Sequence, residues 1–201
     1  VGTWASGGTL NTARNSLGGT GTQTAALAFG GSPTGAPAGT ATEEYDGSSW
    51  TEKNNLNTGR ASACGLGQSA SAALYVSGAS AIVEQWDGTN WTEVSDVNTQ
   101  RYRAGRGGTT AAGLIFGGSN GTQTETWDGT SWTEVNDMNT ARYAIAGTGT
   151  QTAAQAAGGQ TGTSNEAKNE EWDGSSWTET GDMNTARERP RSSGTTKSSI
   201  V

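Results

Sequence analysis

Four pairs of glutamates recur along the chain at a spacing that could bring two carboxylates together. Each pair flanks an Asp-Gly turn, as in ETWDGTSWTEV from Glu125, and a tight hairpin would place the first glutamate opposite the second. Two neighbouring carboxylates are what a glycoside hydrolase needs, so the pairs raise a hydrolase hypothesis. The pairs are Glu43 with Glu52, Glu84 with Glu93, Glu125 with Glu134, and Glu170 with Glu179.

A structural role accounts for these pairs better than catalysis does. Directly opposed like charges destabilise a strand pair unless a cation compensates, and an arginine follows each second glutamate by eight residues. Catalysis needs one asymmetric pair with separated pKa values, whereas these four pairs are nearly identical. We therefore predict that each arginine bridges both glutamates of its own unit in a Glu-Arg-Glu cluster. The arginines are Arg60, Arg101, Arg142 and Arg187.

Nucleophilic catalysis lacks the residues it requires. The chain contains no histidine, so the base of a Ser-His-Asp or Cys-His nucleophile is missing. Turns such as Asp137 to Asn139 do not gather the oxygen ligands of a calcium loop. The sequence therefore predicts a protein that is not an enzyme and has no cofactor and no metal site.

The glutamates belong to a repeat that covers nearly the whole chain. The first aromatic residue of successive units recurs at intervals of 41, 41 and 45 residues, and an arginine lies ten residues after a tryptophan in each unit. Glycine-rich apolar runs alternate with turns and show no helical period, which predicts four short strands per unit. Such a unit is typical of a propeller blade. The expected fold class is all-β, a five-bladed β-propeller.

The fifth blade is expected to be incomplete and to be closed by N- and C-terminal strands. No Glu-x-Trp-Asp-Gly strand precedes Trp4, and Ser6 stands where other units have their second glutamate. One alternative is that residues before Val1 or after Val201 complete a larger ring. The predicted organisation is one domain, 1–201, with repeat units at about 14–56, 60–97, 101–138 and 142–183 and closing strands at 1–10 and 187–201.

The repeat unit resembles the kelch repeat. A strand ending in two glycines, an aromatic residue followed by aspartate, a tryptophan about five residues on and an arginine about ten further recur in this order. Compact Thr- and Gly-rich arrays of this style resemble repeats of marine bacteriophage structural proteins and bacterial surface proteins. Kelch propellers also include a copper-radical oxidase, but a chain with no histidine and with Cys64 as its single cysteine lacks such a ligand set.

Charge and hydropathy restrict the partners. A net charge of −7 argues against nucleic acid, which is bound mainly by clustered lysine and arginine. No apolar run is long enough for a membrane span, so membrane insertion is not expected. The expected partners are other protein subunits of a larger assembly, or a cell-surface glycan, and the expected location is a virion or the extracellular or cell surface.

Candidate binding residues lie where the repeats differ. Arg106 replaces the inner-strand glycine found as Gly19, Gly65 and Gly147, and Arg103 lies three residues before it. An arginine near a propeller channel could bind an anion or a partner carboxylate, although it could also reach solvent or cover a glycine gap. Further arginines near the C-terminus form a basic segment on an acidic protein. The candidate binding residues are Arg103, Arg106, Arg187, Arg189 and Arg191.

Three functions remain open at this point. The first is a non-enzymatic structural or adhesive module of a bacteriophage virion (fibre, tail or decoration protein) or of a cell surface. The second is a secreted carbohydrate-binding lectin that uses exposed aromatic residues, and the least favoured is a carboxylate-dependent glycoside hydrolase. For the first function, we predict that the surface joining residues 32–42, residues 160–169 and the C-terminal segment contacts a neighbouring subunit, because binding residues collect on loops held by a rigid scaffold.

Overall fold

The protein has an all-β fold built mainly from four-stranded antiparallel sheets. The computed structural model describes residues 7–33, 39–119 and 121–192. In these residues every regular element is a strand, and each of the four large sheets contains strands from one repeat only. None of the sheets closes on itself.

The strands are numbered β1 to β20 in chain order. The first sheet contains β2 (Gly18–Gly21), β3 (Ala26–Phe29), β5 (Thr42–Tyr45) and β6 (Trp50–Lys53). The second contains β7 (Cys64–Ser69), β8 (Ala72–Val76), β9 (Val83–Trp86) and β10 (Trp91–Val94). The third contains β11 (Gly105–Gly108), β12 (Gly113–Phe116), β13 (Thr124–Trp127) and β14 (Trp132–Val135). The fourth contains β15 (Ala146–Gly149), β16 (Ala154–Ala157), β19 (Asn169–Trp172) and β20 (Trp177–Glu179). Two short ribbons pair β1 (Arg14–Asn15) with β4 (Ser32–Pro33) and β17 (Gln160–Thr161) with β18 (Ser164–Asn165).

The first strand of each sheet is its inner strand, and the four inner strands lie side by side in the order β2, β7, β11, β15. They approach closely because glycine removes the side chain at the contact. A Cβ on Gly147 would lie 2.2 Å from the backbone nitrogen of Arg106, and a Cβ on Gly65 would lie 2.9 Å from that of Gly19. Strands β7 and β11 approach each other less closely than the other two pairs. A central cavity of about 370 Å³ lies between the inner strands of the four sheets.

The segments that lead into the inner strands are also joined to one another. In each of these linkers, the residue two positions after the repeat arginine has a left-handed φ, between 50° and 59°. From the second of these residues onward, each amide nitrogen donates to the carbonyl oxygen of the one before it, at 2.8 to 2.9 Å. Five linkers, one more than the number of large sheets, are therefore connected at one end of the molecule, which we call the linker end. The five residues are Ser16, Ser62, Arg103, Ala144 and Arg189.

The predicted closing strands of a fifth blade receive no support from the described residues. Residues 7–10 and 187–192 belong to the segments 1–10 and 187–201, and neither part forms a strand. Residues 1–6, which include Trp4 and Ser6, and residues 193–201 lie outside the described part of the chain. The five-bladed arrangement therefore stays a prediction.

The outer hairpin of each sheet turns through the predicted Asp-Gly sequence. In the third sheet, Asp128 Oδ1 accepts hydrogen bonds from the amide nitrogens of Thr130 and Ser131 at 2.8 Å, and Gly129 takes a φ of 96°. Hydrogen bonds of this kind favour the ionised carboxylate. The amide of Ser49, followed by the Ser48 hydroxyl, lowers the pKa of Asp46 to about 2. In the same way the pKa values of Asp87, Asp128 and Asp173 are lowered.

These turns predict a specific loss of stability in acid. A depressed pKa in the folded state stabilises the fold above the unfolded pKa of about 3.9, and this stabilisation is lost as the pH falls toward about 2. Replacing Asp46, Asp87, Asp128 and Asp173 together by asparagine keeps an acceptor oxygen that does not titrate. The variant should therefore lose less of its free energy of unfolding than the wild type between pH 4 and pH 2. Urea unfolding at several pH values measures how the free energy of unfolding of each protein changes with pH. An equal change in the wild type and the variant would contradict the prediction.

Neighbouring sheets are joined by tryptophans of the outer strands. Trp91 in the second sheet packs on Phe29 of the first at 4.9 Å between ring centroids, and its indole nitrogen donates to Thr42 Oγ1 at 2.9 Å. Trp177 in the fourth sheet makes the same hydrogen bond to Thr124 of the third at 3.0 Å. The aromatic residues of the repeat thus stabilise the contacts between sheets.

The junction between the second and third sheets lacks this hydrogen bond. Val83 occupies the position of Thr42 and Thr124, and the buried indole nitrogen of Trp132 has no acceptor among the described residues. Thr124→Val should therefore cost about 1 to 3 kcal/mol, because it leaves the Trp177 indole without an acceptor. Val83→Thr supplies an acceptor to Trp132 and should change stability by less than about 1 kcal/mol. Denaturant unfolding compares the two variants, and equal costs would refute the role of the hydroxyl.

Candidate binding site and the glutamate clamps

Each large sheet contains one buried glutamate whose carboxylate is bound by the linker that precedes the sheet. Glu84 Oε2 accepts from the backbone and side-chain nitrogens of Asn57 at 2.7 and 2.9 Å, and its Oε1 accepts from Thr58 N at 3.2 Å and from Arg60 Nη1 at 2.7 Å. We call such an Asn-Thr-x-Arg segment a glutamate clamp. The other clamps are 11–14 with Glu43, 98–101 with Glu125, and 139–142 with Glu170.

A clamp contacts more than the glutamate. Asn57 Nδ2 also donates to the carbonyl of Trp91 on β10, and Arg60 Nη2 donates to the carbonyl of Tyr75 on β8 at 3.1 Å. The Arg60 guanidinium lies 5.0 Å from the centre of the Tyr75 ring, and burial raises the pKa of this tyrosine to about 12. One linker segment therefore holds three strands of the following sheet.

The predicted Glu-Arg-Glu clusters are wrong in their choice of partner. The hairpin register does place the two glutamates of each pair opposite each other, as expected. Arg142, however, binds Glu170 of the following sheet at 2.7 Å and does not bridge Glu125 and Glu134. The physical reason is that each arginine ends a linker that lies over the next sheet. The pairs are Arg14 with Glu43, Arg60 with Glu84, Arg101 with Glu125, and Arg142 with Glu170.

The remaining predicted cluster residues lie apart from the clamps. The second glutamate of each hairpin is exposed to solvent, which relieves its repulsion with the buried one. Glu179 binds Lys168 at 3.0 Å, and Arg187 is exposed without an acidic partner among the described residues. The exposed second glutamates are Glu52, Glu93, Glu134 and Glu179.

The asparagines of the clamps were missed in the sequence. Their signal is present, because Asn-Thr-x-Arg recurs at Asn11, Asn57, Asn98, Asn139 and Asn184. Asparagine-threonine pairs are also common in turns, so local sequence does not distinguish a carboxylate-binding segment from an ordinary bend.

The arginine cavity lies at the linker end and has a volume of about 160 Å³. Four of the 12 basic residues of the chain line this cavity, and none of its lining residues is acidic. All five left-handed linker residues line it too, and two of them, Arg103 and Arg189, are among these four. Arg189 has an exposed acidic neighbour, Glu188, at 3.7 Å. The four arginines are Arg103, Arg106, Arg189 and Arg191.

Arg106 joins the arginine cavity to the central cavity, since it lines both. Burial lowers its pKa, the neighbouring Cys64 raises it, and the nearby positive charge of Arg191 lowers it further. The Cys64 thiol donates to the carbonyl oxygen of Ala104 at 3.3 Å, and burial raises its pKa. No acidic side chain lines either cavity around this guanidinium. A bound anion would therefore stabilise its charged form.

Arg103 brings an aromatic surface to the rim of the arginine cavity. Its guanidinium lies 5.9 Å from the centre of the Tyr102 ring, and Tyr102 is 40% exposed. Tyr143 lies 6.3 Å from Tyr102 in an edge-on arrangement. Of the five candidate binding residues, four thus meet at one cavity, while Arg187 does not line it.

No protein-family model matches the chain, and no curated protein matches it. The repeat pattern resembles the kelch repeat without a family match, and the all-β sheets are compatible with a propeller-like fold. Within the described residues, no group of three or more acidic or cysteine side chains is placed to hold a metal ion. Nor do they include a helix with the length and hydropathy needed to cross a membrane.

Proposed function

We propose that this protein is a non-enzymatic structural or adhesive module of a larger assembly, either a bacteriophage virion component or a surface protein. The proposed scaffold is a five-bladed, kelch-like β-propeller. Five equivalent linker residues, from Ser16 to Arg189, line one cavity and are joined in sequence by hydrogen bonds, which supports five units around one axis. The clamps and the junction tryptophans are structural devices of a rigid scaffold.

The observation that carries this proposal is the convergence of Arg103, Arg106, Arg189 and Arg191 at the linker end of an acidic chain. Such contrast in charge steers a partner and orients it. The partner surface is acidic, because a carboxylate or phosphate group could pair with the guanidinium forks in two-point contacts. We assign the docking surface to the rim of the arginine cavity.

The two long connections of the repeat extend this docking surface. The connections 32–42 and 160–169 both join the second and third strands of a sheet, and this topology brings their described residues to the linker end. Tyr143 of a linker pairs with Gln160 of the second connection, and β1 pairs with β4 of the first. Residues 34–38 lie outside the described residues. Shortening both connections to six residues, as in the second sheet, should preserve the fold and abolish attachment.

Charge reversal tests the proposal. The triple variant Arg103→Glu, Arg189→Glu, Arg191→Glu should fold and lose attachment to the native assembly in a sedimentation assay. Thr89→Glu with Thr130→Glu is the control, because it adds acidic charge on exposed Asp-Gly turns at the opposite ends of the strands from the linker end and should leave attachment intact. Equal attachment of wild type and triple variant, or a wild-type protein that is monomeric and unattached in its source, contradicts the proposal.

A second candidate function is binding of a cell-surface glycan. The observation that favours it is the exposed ring of Tyr102 beside Arg103, because a sugar can stack on an aromatic face next to a polar donor. The tryptophans of the second to fourth sheets are buried and offer no such platform. A glycan array with wild type and Tyr102→Ala distinguishes the two functions, since saturable binding that Tyr102→Ala removes would favour a lectin. The hydrolase hypothesis gains nothing, because the first glutamate of each pair is buried and bound in a clamp.

A further inference from the structure

A fifth clamp segment follows the fourth sheet and has the same backbone as the four that bind glutamates. Asn184 and Thr185 form a bend at the position where every other clamp has one. Met183 N donates to the carbonyl of Ala167 at 2.9 Å, and the carbonyl of Arg187 accepts from Gly159 N at 3.0 Å, as the equivalent groups do at the clamps 57–60, 98–101 and 139–142. The fifth clamp is therefore preformed.

None of the acidic residues of the chain serves this fifth clamp. All 19 aspartates and glutamates belong to the described residues, and none of them lies within ion-pair distance of Arg187. The two glutamates of the preceding hairpin, Glu170 and Glu179, bind Arg142 and Lys168 instead. Asn184, Thr185 and Arg187 are exposed. The fifth clamp thus has the donors that bind a carboxylate elsewhere, and no aspartate or glutamate side chain of the 201 residues binds them.

The fourth sheet offers a second unpaired group on the same side. Asn169 is 8% exposed, and its Oδ1 has no hydrogen-bond partner among the described residues. Asn169 occupies the position at which Thr42 and Thr124 accept the indole nitrogen of a tryptophan from the next sheet. An indole donor is therefore the complement of this oxygen.

One hairpin supplies both complements at the two junctions where a threonine accepts the indole. In the second sheet, Glu84 enters the clamp and Trp91, seven residues later, donates to Thr42. The same spacing separates Glu170 from Trp177, which serve the junction between the third and fourth sheets. A ligand for the fourth sheet must therefore carry Glu-x-Trp-Asp-Gly-x-x-Trp or a close equivalent.

We propose that the side of the fourth sheet that faces away from the third binds a β-hairpin of this pattern presented by a neighbouring polypeptide chain. The glutamate of the hairpin binds the amides of Asn184 and Thr185 and the guanidinium of Arg187, and its second tryptophan donates to Asn169 Oδ1. This inference rests on the proposed assembly role, and it names the chemistry of the partner. Arg187, which does not line the arginine cavity, thereby acquires a role of its own.

A synthetic hairpin tests the proposal directly. The probe is the peptide NEEWDGSSWTE, residues 169–179, with blocked ends and a terminal disulfide, because a short free hairpin is only marginally stable. We expect saturable binding to the full chain by isothermal titration calorimetry. Binding should weaken at least tenfold with the Glu170→Gln peptide and with the Arg187→Leu protein. Lys53→Leu removes a cation outside the clamps and the arginine cavity, and this control should bind the probe as the wild type does.

A change in the peptide separates recognition from a general loss of folding, because it leaves the protein unaltered. The Glu170→Arg peptide should not bind the wild type, because the amides of Asn184 and Thr185 and the guanidinium of Arg187 are all donors and a second guanidinium offers them no acceptor. Trp4→Ala protein is titrated in parallel to remove a competing indole of the chain itself. Absence of saturable binding to both wild type and Trp4→Ala, or equal binding of the unchanged peptide and the Glu170→Gln peptide, overturns the proposal. Such a failure would leave the charge-reversal test at the arginine cavity unaffected.

Discussion

Replacing Arg142 by leucine is expected to lower the free energy of unfolding by about 3 to 5 kcal/mol, as the loss of one partner of a buried ion pair does. Glu170 is 0% exposed and would keep only the donors of Asn139. The carbonyl oxygens of Gly158 and Lys168 would lose the Arg142 guanidinium as well. Denaturant unfolding followed by tryptophan fluorescence measures the change.

A double-mutant cycle identifies the true partner of Arg142. The double variant Arg142→Leu, Glu170→Gln should be more stable than the sum of the single changes implies, because no buried charge remains. The combination of Arg142→Leu with Glu125→Gln should be additive, since Glu125 belongs to Arg101. Glu134→Gln is the control and should have little effect, because Glu134 is exposed. A larger coupling of Arg142 to Glu125 than to Glu170 would contradict the clamp.

Replacing Gly147 by alanine is the second change with a large expected effect, about 3 kcal/mol or more. The added Cβ would lie 2.2 Å from the nitrogen and 2.7 Å from the oxygen of Arg106, and the backbone of a neighbouring inner strand cannot move aside as a flexible side chain can. The two inner strands would have to separate, and the central cavity would change shape. Thermal and denaturant unfolding report the loss.

Gly181 provides the matched control for Gly147. A Cβ on Gly181 would meet no atom within 4 Å, and its φ lies outside the left-handed region. Gly181→Ala should therefore leave stability within about 0.5 kcal/mol of the wild type, or raise it slightly by restricting the unfolded chain. A loss below about 1 kcal/mol for Gly147→Ala would show that the inner strands are not held at this distance.

Local features of the fold could be predicted from the sequence because their causes are local. The Asp-Gly turn fixes the hairpin register, and with it the opposition of Glu125 and Glu134. The alternation of short apolar runs and turns indicated four strands per repeat, which the four sheets confirm. The absence of histidine could be read directly from the composition.

The partners of the arginines could not be predicted, because they depend on how one repeat lies over the next. Arg142 is eight residues from Glu134 and 28 residues from Glu170, and sequence proximity favoured the wrong choice. The arginine cavity depends in the same way on tertiary structure. Arg189 and Arg191 read as part of a basic tail, but the hydrogen bond from Arg189 to Ala144 brings this segment to the linker end beside Arg103.

The central claim is that the protein attaches to a larger assembly through its arginine-lined linker end, and electron cryo-microscopy of the native assembly tests it most directly. The proposed attachment predicts that a neighbouring subunit covers the arginine cavity and places acidic groups within ion-pair distance of Arg103, Arg189 or Arg191. A map in which the linker end faces open solvent while another surface makes the contact would contradict it.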